Sequence, residues 1–220
     1  ATVLVSGTTY YAESDGGCVS LTRTPVVTMI YPVPAPGLVG PNNVCIGSTG
    51  NVYTTDAGKS NYAWSVTGGF ITAGGLSTNN TATITWNTVG AGSVSVNYQD
   101  AGGCTAASPT VYNVTVNDSP TITLGTNPSV CNGTVSASLT YSATTGSPNR
   151  YSIDYNAVAE GQGFVDVPNT TVLTASPLIL SVPGAAAPGT YSGDLLVINN
   201  VTGCISGTYP ISITIIPDNT

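Results

Sequence analysis

Short segments that alternate apolar and polar residues, or run apolar over a few residues, recur along the whole chain, with turn residues between them. They are SVSVNYQ (93–99), TATITWN (81–87), TVYNVTVN (110–117), YSIDY (151–155), PLILSV (177–182), GDLLVINN (193–200) and YPISITII (209–216). A period of two is typical of β-strands with one buried face. The best helical candidate, AVAEGQG (157–163), is cut short by its glycines. Short strands separated by regular turns predict an all-β chain of β-sandwiches.

Two cysteine-containing elements repeat along the chain. A strand, a turn ending in Gly-Cys and a second strand occur around Cys18, Cys104 and Cys204. Val-Cys-x-Gly followed by Ser or Thr occurs in NNVCIGST (42–49) and PSVCNGT (128–134). Cys18 precedes Cys104 by 86 positions, and Cys45 precedes Cys131 by the same number. The two elements therefore repeat with one period, which is the mark of tandem domains.

The repeats predict three units. Residues 1–32 are the C-terminal part of an incomplete Ig-like domain, residues 33–117 are a first complete sandwich, and residues 118–220 are a second. The first boundary, YPVPAPGLVGP (31–41), is rich in proline and should be stiff. The second, VNDSPTI (116–122), is too short to act as a free linker, so the units should form an extended rod.

The spacing also predicts how the cysteines pair. Within each sandwich the Val-Cys-x-Gly cysteine comes first and the Gly-Cys cysteine last, which pairs Cys45 with Cys104 and Cys131 with Cys204. Cys18 is then left unpaired by truncation, because its partner would lie upstream. Such bridges suit an oxidising compartment outside the cell. Buried free thiols are the alternative. A zinc site is not expected, since the sequence has no CxxC and no histidine.

Charge and composition exclude several classes of function. Three cations stand against ten carboxylates, giving a net charge of −7; this excludes nucleic acid and anionic membranes as partners. There is no histidine, and the carboxylates are scattered through turns, so we expect no catalytic residues, no enzyme activity and no cofactor. Calcium at a domain junction is the remaining metal option. Its candidate ligands are Asp15, Asp100, Asn117 and Asp118.

The two tryptophans receive different predictions. Trp64 lies in NYAWSV, where an Ig-type sandwich places its core tryptophan, so we assign it to the core. Trp86 lies near the end of the strand ATITWNTVG, and we expect it to be partly buried there.

The sequence of the first sandwich resembles a known repeat type. VCIGSTGNVYTTDAGKSNYAWSVTGG followed by ATITWNTVGAGSVSVNYQDAGGCTA is similar to the PKD-like and Ig-like repeats of very large surface adhesins of Bacteroidota. GTTYYAESDGGCVSLTRTPVVT resembles the end of a neighbouring repeat, and TGSPNRYSIDY with GTYSGDLLVINNVTGCIS resembles another. The resemblance implies tandem Ig-like and PKD-like sandwiches, type IX secretion, a cell-surface location and a stalk or adhesive role in attachment or gliding motility. The partners that it implies are neighbouring repeats, surface glycans and other surface proteins.

Two other functions remain open from the sequence. A carbohydrate-binding module of a secreted enzyme would need a row of exposed aromatic rings; the candidates are Tyr10, Tyr11, Tyr151, Tyr155 and Tyr191. A fibre subunit would have its incomplete first domain completed by a strand of another chain, with Cys18 bonded in trans.

Overall fold

The structure, a computed structural model, describes residues 3–12 and 22–218. These residues form short β-strands and one helical turn, α1 (Ala157–Glu160), so the predicted all-β fold is confirmed. β1 (Thr9–Ala12) and β2 (Thr24–Val27) form an antiparallel pair ahead of the two sandwiches. Cys18, predicted to be unpaired, lies outside the described residues, as does Asp15.

The first sandwich consists of two four-stranded sheets. Its strands are β3 (Leu38–Val39), β4 (Asn43–Cys45), β5 (Asn51–Thr55), β6 (Ser60–Thr67), β7 (Gly69–Gly74), β8 (Thr81–Trp86), β9 (Gly90–Gln99) and β10 (Thr110–Asn117). One sheet has the order β4-β10-β9-β6 and the other the order β3-β5-β8-β7. β4 runs parallel to β10, whereas the other neighbouring strands are antiparallel. The first strand of this sheet therefore lies along the last strand of the sandwich.

The second sandwich repeats this arrangement with a larger sheet. Its strands are β11 (Thr121–Leu124), β12 (Ser129–Cys131), β13 (Ser136–Leu139), β14 (Tyr141–Thr145), β15 (Arg150–Tyr155), β16 (Val167–Val172), β17 (Leu178–Ser181), β18 (Gly189–Asn199), β19 (Cys204–Ile205) and β20 (Tyr209–Ile216). The large sheet has the order β12-β20-β18-β15-β16, with β19 beside β18. The pairs β11-β14 and β13-β17 complete the sandwich. β12 runs parallel to β20, as β4 does to β10.

Each sandwich has its own hydrophobic core. The first cluster is drawn from residues between Leu38 and Val116, and the second from residues between Ile122 and Ile215. The clusters thus fall on either side of the predicted junction at 117/118. Burial follows the alternation in the sequence: every second residue of β8 is buried, ending in Trp86. This alternation explains why the strands could be located from the sequence.

The two tryptophans do not occupy the positions predicted for them. Trp64 packs against the first core but is only partly buried, and its Nε1 donates to the carbonyl of Asn79 at 2.9 Å. Trp86 is fully buried. The reason lies in strand order, because Trp64 is on the edge strand β6 and Trp86 is on the inner strand β8. A register shift between Ser60 and Ala63 also displaces β6 from regular pairing.

Hydrogen bonds attach the segment before β3 to the first sandwich. The Asp56 carboxylate accepts from the backbone N–H of Gly37 and from the hydroxyl of Tyr98, each at 2.9 Å. These two hydrogen bonds, the backbone one first, hold the pKa of Asp56 below its ordinary value. Leu38, the next residue, is buried in the core. The last residues of the predicted boundary segment, 31–41, therefore belong to the first sandwich.

Buried tyrosines make the stability of both sandwiches sensitive to alkaline pH. Burial raises the pKa of Tyr53, Tyr98 and Tyr155 to about 12 in each case. A phenol whose pKa is raised by folding contributes stability that is present below about pH 10 and is lost as the pH rises towards 12, because only the unfolded chain ionises in that range. We expect the urea midpoint to stay level up to about pH 9 and to fall above pH 10.

The variant Tyr155→Phe should reduce the slope of the urea midpoint against pH between about pH 10 and 12. Tyr11→Phe, which alters a ring that is 63% exposed, is the matched control and should leave the slope unchanged. An equal change of slope in both variants would contradict the assignment of this pH dependence to buried phenols.

Candidate functional site: the disulfide-linked junction

The opening turn of the first sandwich, residues 44–48, fixes Cys45 at the C-terminal end of the last strand. Parallel pairing places Cys45 opposite Asn117, and the N–H of Ile46 donates to the Asn117 carbonyl at 2.8 Å. The Asn117 side chain donates in turn to the Val44 carbonyl at 2.9 Å. Gly47 has a φ of +75°, a conformation that favours glycine in the turn that follows. The sulfur atom of Cys45 therefore lies where the chain leaves the first sandwich.

The closing hairpin of the second sandwich, residues 198–205, carries Cys204. Cys204 pairs with Asn199 across the hairpin, and the N–H of Gly203 donates to the Asn199 carbonyl at 2.8 Å. The Asn199 side chain also accepts from the N–H of Val201 at 3.0 Å, which fixes the turn. This hairpin immediately precedes β20, so it lies at the N-terminal end of the last strand of the second sandwich.

A disulfide between Cys45 and Cys204 joins the two sandwiches. The two Cα atoms are 5.6 Å apart, and the residues are separated by 159 positions in the sequence. Beside the bond, the Asn43 amide donates to the Thr202 carbonyl at 3.5 Å. Cys204 is fully buried. We call Asn43, Cys45, Thr202 and Cys204 the junction. It links the C-terminal end of one sandwich to the N-terminal end of the next.

The predicted pairs Cys45–Cys104 and Cys131–Cys204 are therefore wrong. Cys45 lies beside the last residue of β10, whereas Cys104 precedes its first residue. Eight residues at about 3.4 Å each separate the two ends by roughly 25 Å, far beyond the Cα separation of about 7 Å that a disulfide spans. The same geometry, along β20, separates Cys131 from Cys204. Among the described cysteines, Cys104 is free and partly buried, and Cys131 is free and exposed.

Two of the residues proposed for calcium, Asp100 and Asn117, have other partners. Asp100 accepts from the N–H groups of Gly102 and Cys104, each at 2.9 Å, and so stabilises its own turn. Asn117 holds β4 against β10, and Asp118 is exposed. Within residues 3–12 and 22–218, no three His, Cys, Asp or Glu side chains gather as they would around a metal ion.

The aromatic residues proposed for carbohydrate binding do not form an exposed row. Tyr151, Tyr155 and Tyr191 are each less than 10% exposed and belong to the core of the second sandwich. Tyr11 is exposed and Tyr10 is partly exposed on β1. Tyr151, Tyr155 and Tyr191 therefore do not supply the exposed row that a carbohydrate-binding module would need, because they occupy the inward positions of their strands.

An open groove of about 510 Å³ crosses the large sheet of the second sandwich. Asp154 and Asp194 line it from directly opposed positions on β15 and β18, and Asn156 and Ser192 lie next to them. Both aspartates are exposed. Two like charges on opposed residues repel each other, and nothing in the groove distinguishes it from a solvated sheet surface.

Residues 32–114 match the family described as a PKD-like domain. The match spans almost all of the first sandwich, and it indicates no enzymatic family. No curated protein sequence matches the chain. In the described residues, no helix combines the length and apolar character needed to span a bilayer.

Several solved structures are similar to this chain at low sequence identity. The fibronectin(III)-like modules of Clostridium thermocellum CbhA share 14% identity, with 82% of this chain and 95% of that chain covered and a TM-score of 0.41. The D00-D0 domain of intimin shares 12%, covering 83% and 100%, with a TM-score of 0.34. The Yersinia pseudotuberculosis adhesin InvE shares 18%, covering 81% and 58%, with a TM-score of 0.30.

Proposed function

We propose that the chain is a structural segment of a long extracellular surface protein, in which β-sandwiches are joined end to end as a stalk. The observation that supports this role is the bond between Cys45 and Cys204, which connects the C-terminal end of one sandwich to the N-terminal end of the next. The role needs neither catalysis nor a cofactor. The bond has a direct use in a protein that must hold its domains in line.

The bond acts in parallel with the polypeptide link. The chain passes from β10, which ends at Asn117, to β11, which begins at Thr121. Two domains joined by one short linker and a small interface move relative to each other by default. Cys45 lies beside Asn117, so the disulfide supplies a second connection from the same end of the first sandwich. Two connections between the same bodies restrict bending and rotation that one connection permits.

The proposal extends to the location and role of the parent protein. We place it on the cell surface, exported by type IX secretion and acting in adhesion or gliding motility, with surface glycans or other surface proteins as its ligands. The support is the PKD-like match over residues 32–114, the resemblance of the repeats to surface-adhesin repeats, and a disulfide, which requires an oxidising compartment to persist.

Small-angle X-ray scattering tests the stalk. The oxidised chain should give one well-defined maximum dimension, whereas Cys45→Ser should give a broader distribution of distances because the second connection is gone. Cys131→Ser alters an exposed free thiol and is the matched control. Superimposable profiles for the wild type and Cys45→Ser would show that the bond does not hold the sandwiches in line.

Antibody labelling tests the location independently. Antibodies raised against the purified chain should label intact cells of the source organism as strongly as permeabilised cells. A signal that requires permeabilisation would overturn the surface location while leaving the structural role of the junction intact.

A further inference from the structure

Cys131 occupies the same backbone position in the second sandwich that Cys45 occupies in the first. The opening turn of the second sandwich, residues 130–134, follows a strand parallel to β20, and Cys131 lies opposite Ile216 as Cys45 lies opposite Asn117. The next N–H donates to the carbonyl of that opposed residue in both cases, at 2.8 Å from Ile46 and 2.9 Å from Asn132. The two turns are therefore built alike.

The glycines and the turn hydrogen bonds complete the match. Gly47 and Gly133 have φ angles of +75° and +79°. Ser48 donates its N–H to the Cys45 carbonyl at 3.0 Å, and Thr134 donates to the Cys131 carbonyl at 3.2 Å. The two turns differ in the state of their cysteines. Cys45 forms a disulfide with the next sandwich, whereas Cys131 is exposed and free.

Cys104 lies in the corresponding hairpin of the first sandwich, whose turn is one residue shorter than the turn that carries Cys204. The closing hairpin of the first sandwich, residues 99–105, holds Cys104 opposite Asp100, whose N–H donates to the Cys104 carbonyl at 3.0 Å. Gly103 has a φ of +78° and Gly203 a φ of +77°. An Asp or Asn side chain accepts backbone N–H groups in each turn. The first sandwich thus presents at its N-terminal end the hairpin that the second sandwich uses at the junction.

From these two equivalences we propose that Cys131 is a docking site for the closing hairpin of another sandwich. The Cys131 thiol forms a disulfide with the Gly-Cys cysteine of that hairpin, as Cys45 does with Cys204. The hairpin that carries Cys104 is the complementary site, and it binds the opening turn of another sandwich. The interface is of the head-to-tail kind, which generates an open series unless the rotation between successive sandwiches closes a ring. The inference goes beyond the proposed surface role, because it rests on the observed bond and its structural repeats alone.

The partner is defined by chemistry as well as by shape. It must present a Gly-Cys hairpin with a free thiol and a backbone carbonyl two residues earlier, as Thr202 does at the junction. Ser129 occupies the register position of Asn43 beside the closing strand, where its hydroxyl donates to the Thr214 carbonyl at 3.4 Å. The closing hairpin of the first sandwich satisfies these requirements, so a second copy of this chain is a suitable probe.

The bond forms by exchange with a small disulfide such as oxidised glutathione. The Cys131 thiolate attacks one sulfur of the glutathione disulfide and displaces a glutathione thiolate. The thiolate of the partner hairpin then attacks the Cys131 sulfur and displaces the second glutathione. Each protein thiol loses one proton, and the two electrons reduce one oxidised glutathione to two thiols.

The test uses the full chain carrying Cys18→Ser, so that Cys104 is the one closing-hairpin thiol left free. Incubation with reduced and oxidised glutathione should give a ladder of disulfide-linked oligomers on non-reducing gels. Peptide mapping of the dimer should find Cys131 linked to Cys104 of the other copy. The amount of this mixed pair should exceed that of the like pairs, Cys131–Cys131 and Cys104–Cys104, by at least about tenfold. A preference of about 1.4 kcal/mol produces that ratio.

The controls separate docking from random oxidation. Cys131→Ser and Cys104→Ser should each abolish the ladder beyond dimers and remove the mixed pair, while peptide mapping still finds Cys45 linked to Cys204. Random collision between two equally reactive thiols yields as many like pairs as mixed ones. A dimer with equal amounts of like and mixed pairs, or no dimer at all, would overturn the proposal. Neither result would bear on the stalk role, which scattering tests separately.

Discussion

Loss of the Cys45–Cys204 bond is expected to lower the free energy of unfolding of the chain by about 4 to 5 kcal/mol. The bond closes a loop of 159 positions when both sandwiches unfold. When the second sandwich unfolds alone, Cys45 stays beside Asn117, so the bond still constrains the segment from there to Cys204. Loops of these lengths have similar closure entropies because the entropy depends on the logarithm of length.

Urea unfolding of the wild type, Cys45→Ser and the double variant Cys45→Ser/Cys204→Ser measures this effect. The double variant should be destabilised by little more than the single one, because either substitution removes the same bond. Any further loss of stability in the double variant will come partly from the hydroxyl that Cys204→Ser introduces, because position 204 is fully buried.

Cys104→Ser and Cys131→Ser are the matched controls, because they change the same side chain at thiols that are free. Each should shift the stability by no more than about 0.5 kcal/mol. A loss of several kcal/mol in Cys104→Ser would instead support a bridge within the first sandwich, and the pairing seen in the structure would then be incorrect.

Local pattern was enough to predict the strands but not the pairing of the cysteines. Alternation in TATITW placed β8 to within a residue, and the glycines after Glu160 limited α1 to one turn. The repeat of 86 positions also identified Cys45 and Cys131 as equivalent. Which cysteines meet depends on the direction in which β4 lies along β10, and parallel and antiparallel neighbours leave the same period-two pattern in a short strand.

The two tryptophans show the same limit. Both lie in strands with clear alternation, and the sequence does not say which strand is at the edge of its sheet. That depends on long-range pairing, which put β6 at an edge and β8 inside. Glycines mark the burial of Trp86: Gly68, Gly69 and Gly92 leave room for a large side chain, and the Trp86 ring fills it.

Trp86→Ala is expected to destabilise the first sandwich by about 3 to 5 kcal/mol, the range for a large aromatic side chain removed from a core. The ring is 0% exposed. A Cβ added at Gly92 would lie 2.5 Å from it, which shows how closely the backbone approaches. It also packs edge-on against Tyr53, with the ring centroids 6.1 Å apart. Glycine backbone cannot collapse into the space, so the cavity should persist.

Trp64→Ala is the matched control, because it removes the same side chain from a partly buried site. It should cost about 1 to 2 kcal/mol, for the lost packing and the hydrogen bond to Asn79. Each variant leaves one tryptophan as a fluorescent reporter, so unfolding in urea can be followed by emission and by circular dichroism. An equal or greater loss in Trp64→Ala would show that Trp64 is the core residue after all.

Trp86→Phe separates the ring from its polar atom. Trp86 Nε1 is close enough to the Tyr53 hydroxyl to affect the pKa of that tyrosine, yet it makes no hydrogen bond of normal geometry within the described part of the chain. Phenylalanine keeps most of the apolar surface and removes the unpaired N–H. We therefore expect Trp86→Phe to be less destabilising than Trp86→Ala by about 2 kcal/mol. Equal losses in the two variants would mean that a phenyl ring recovers none of the packing that the indole ring provides.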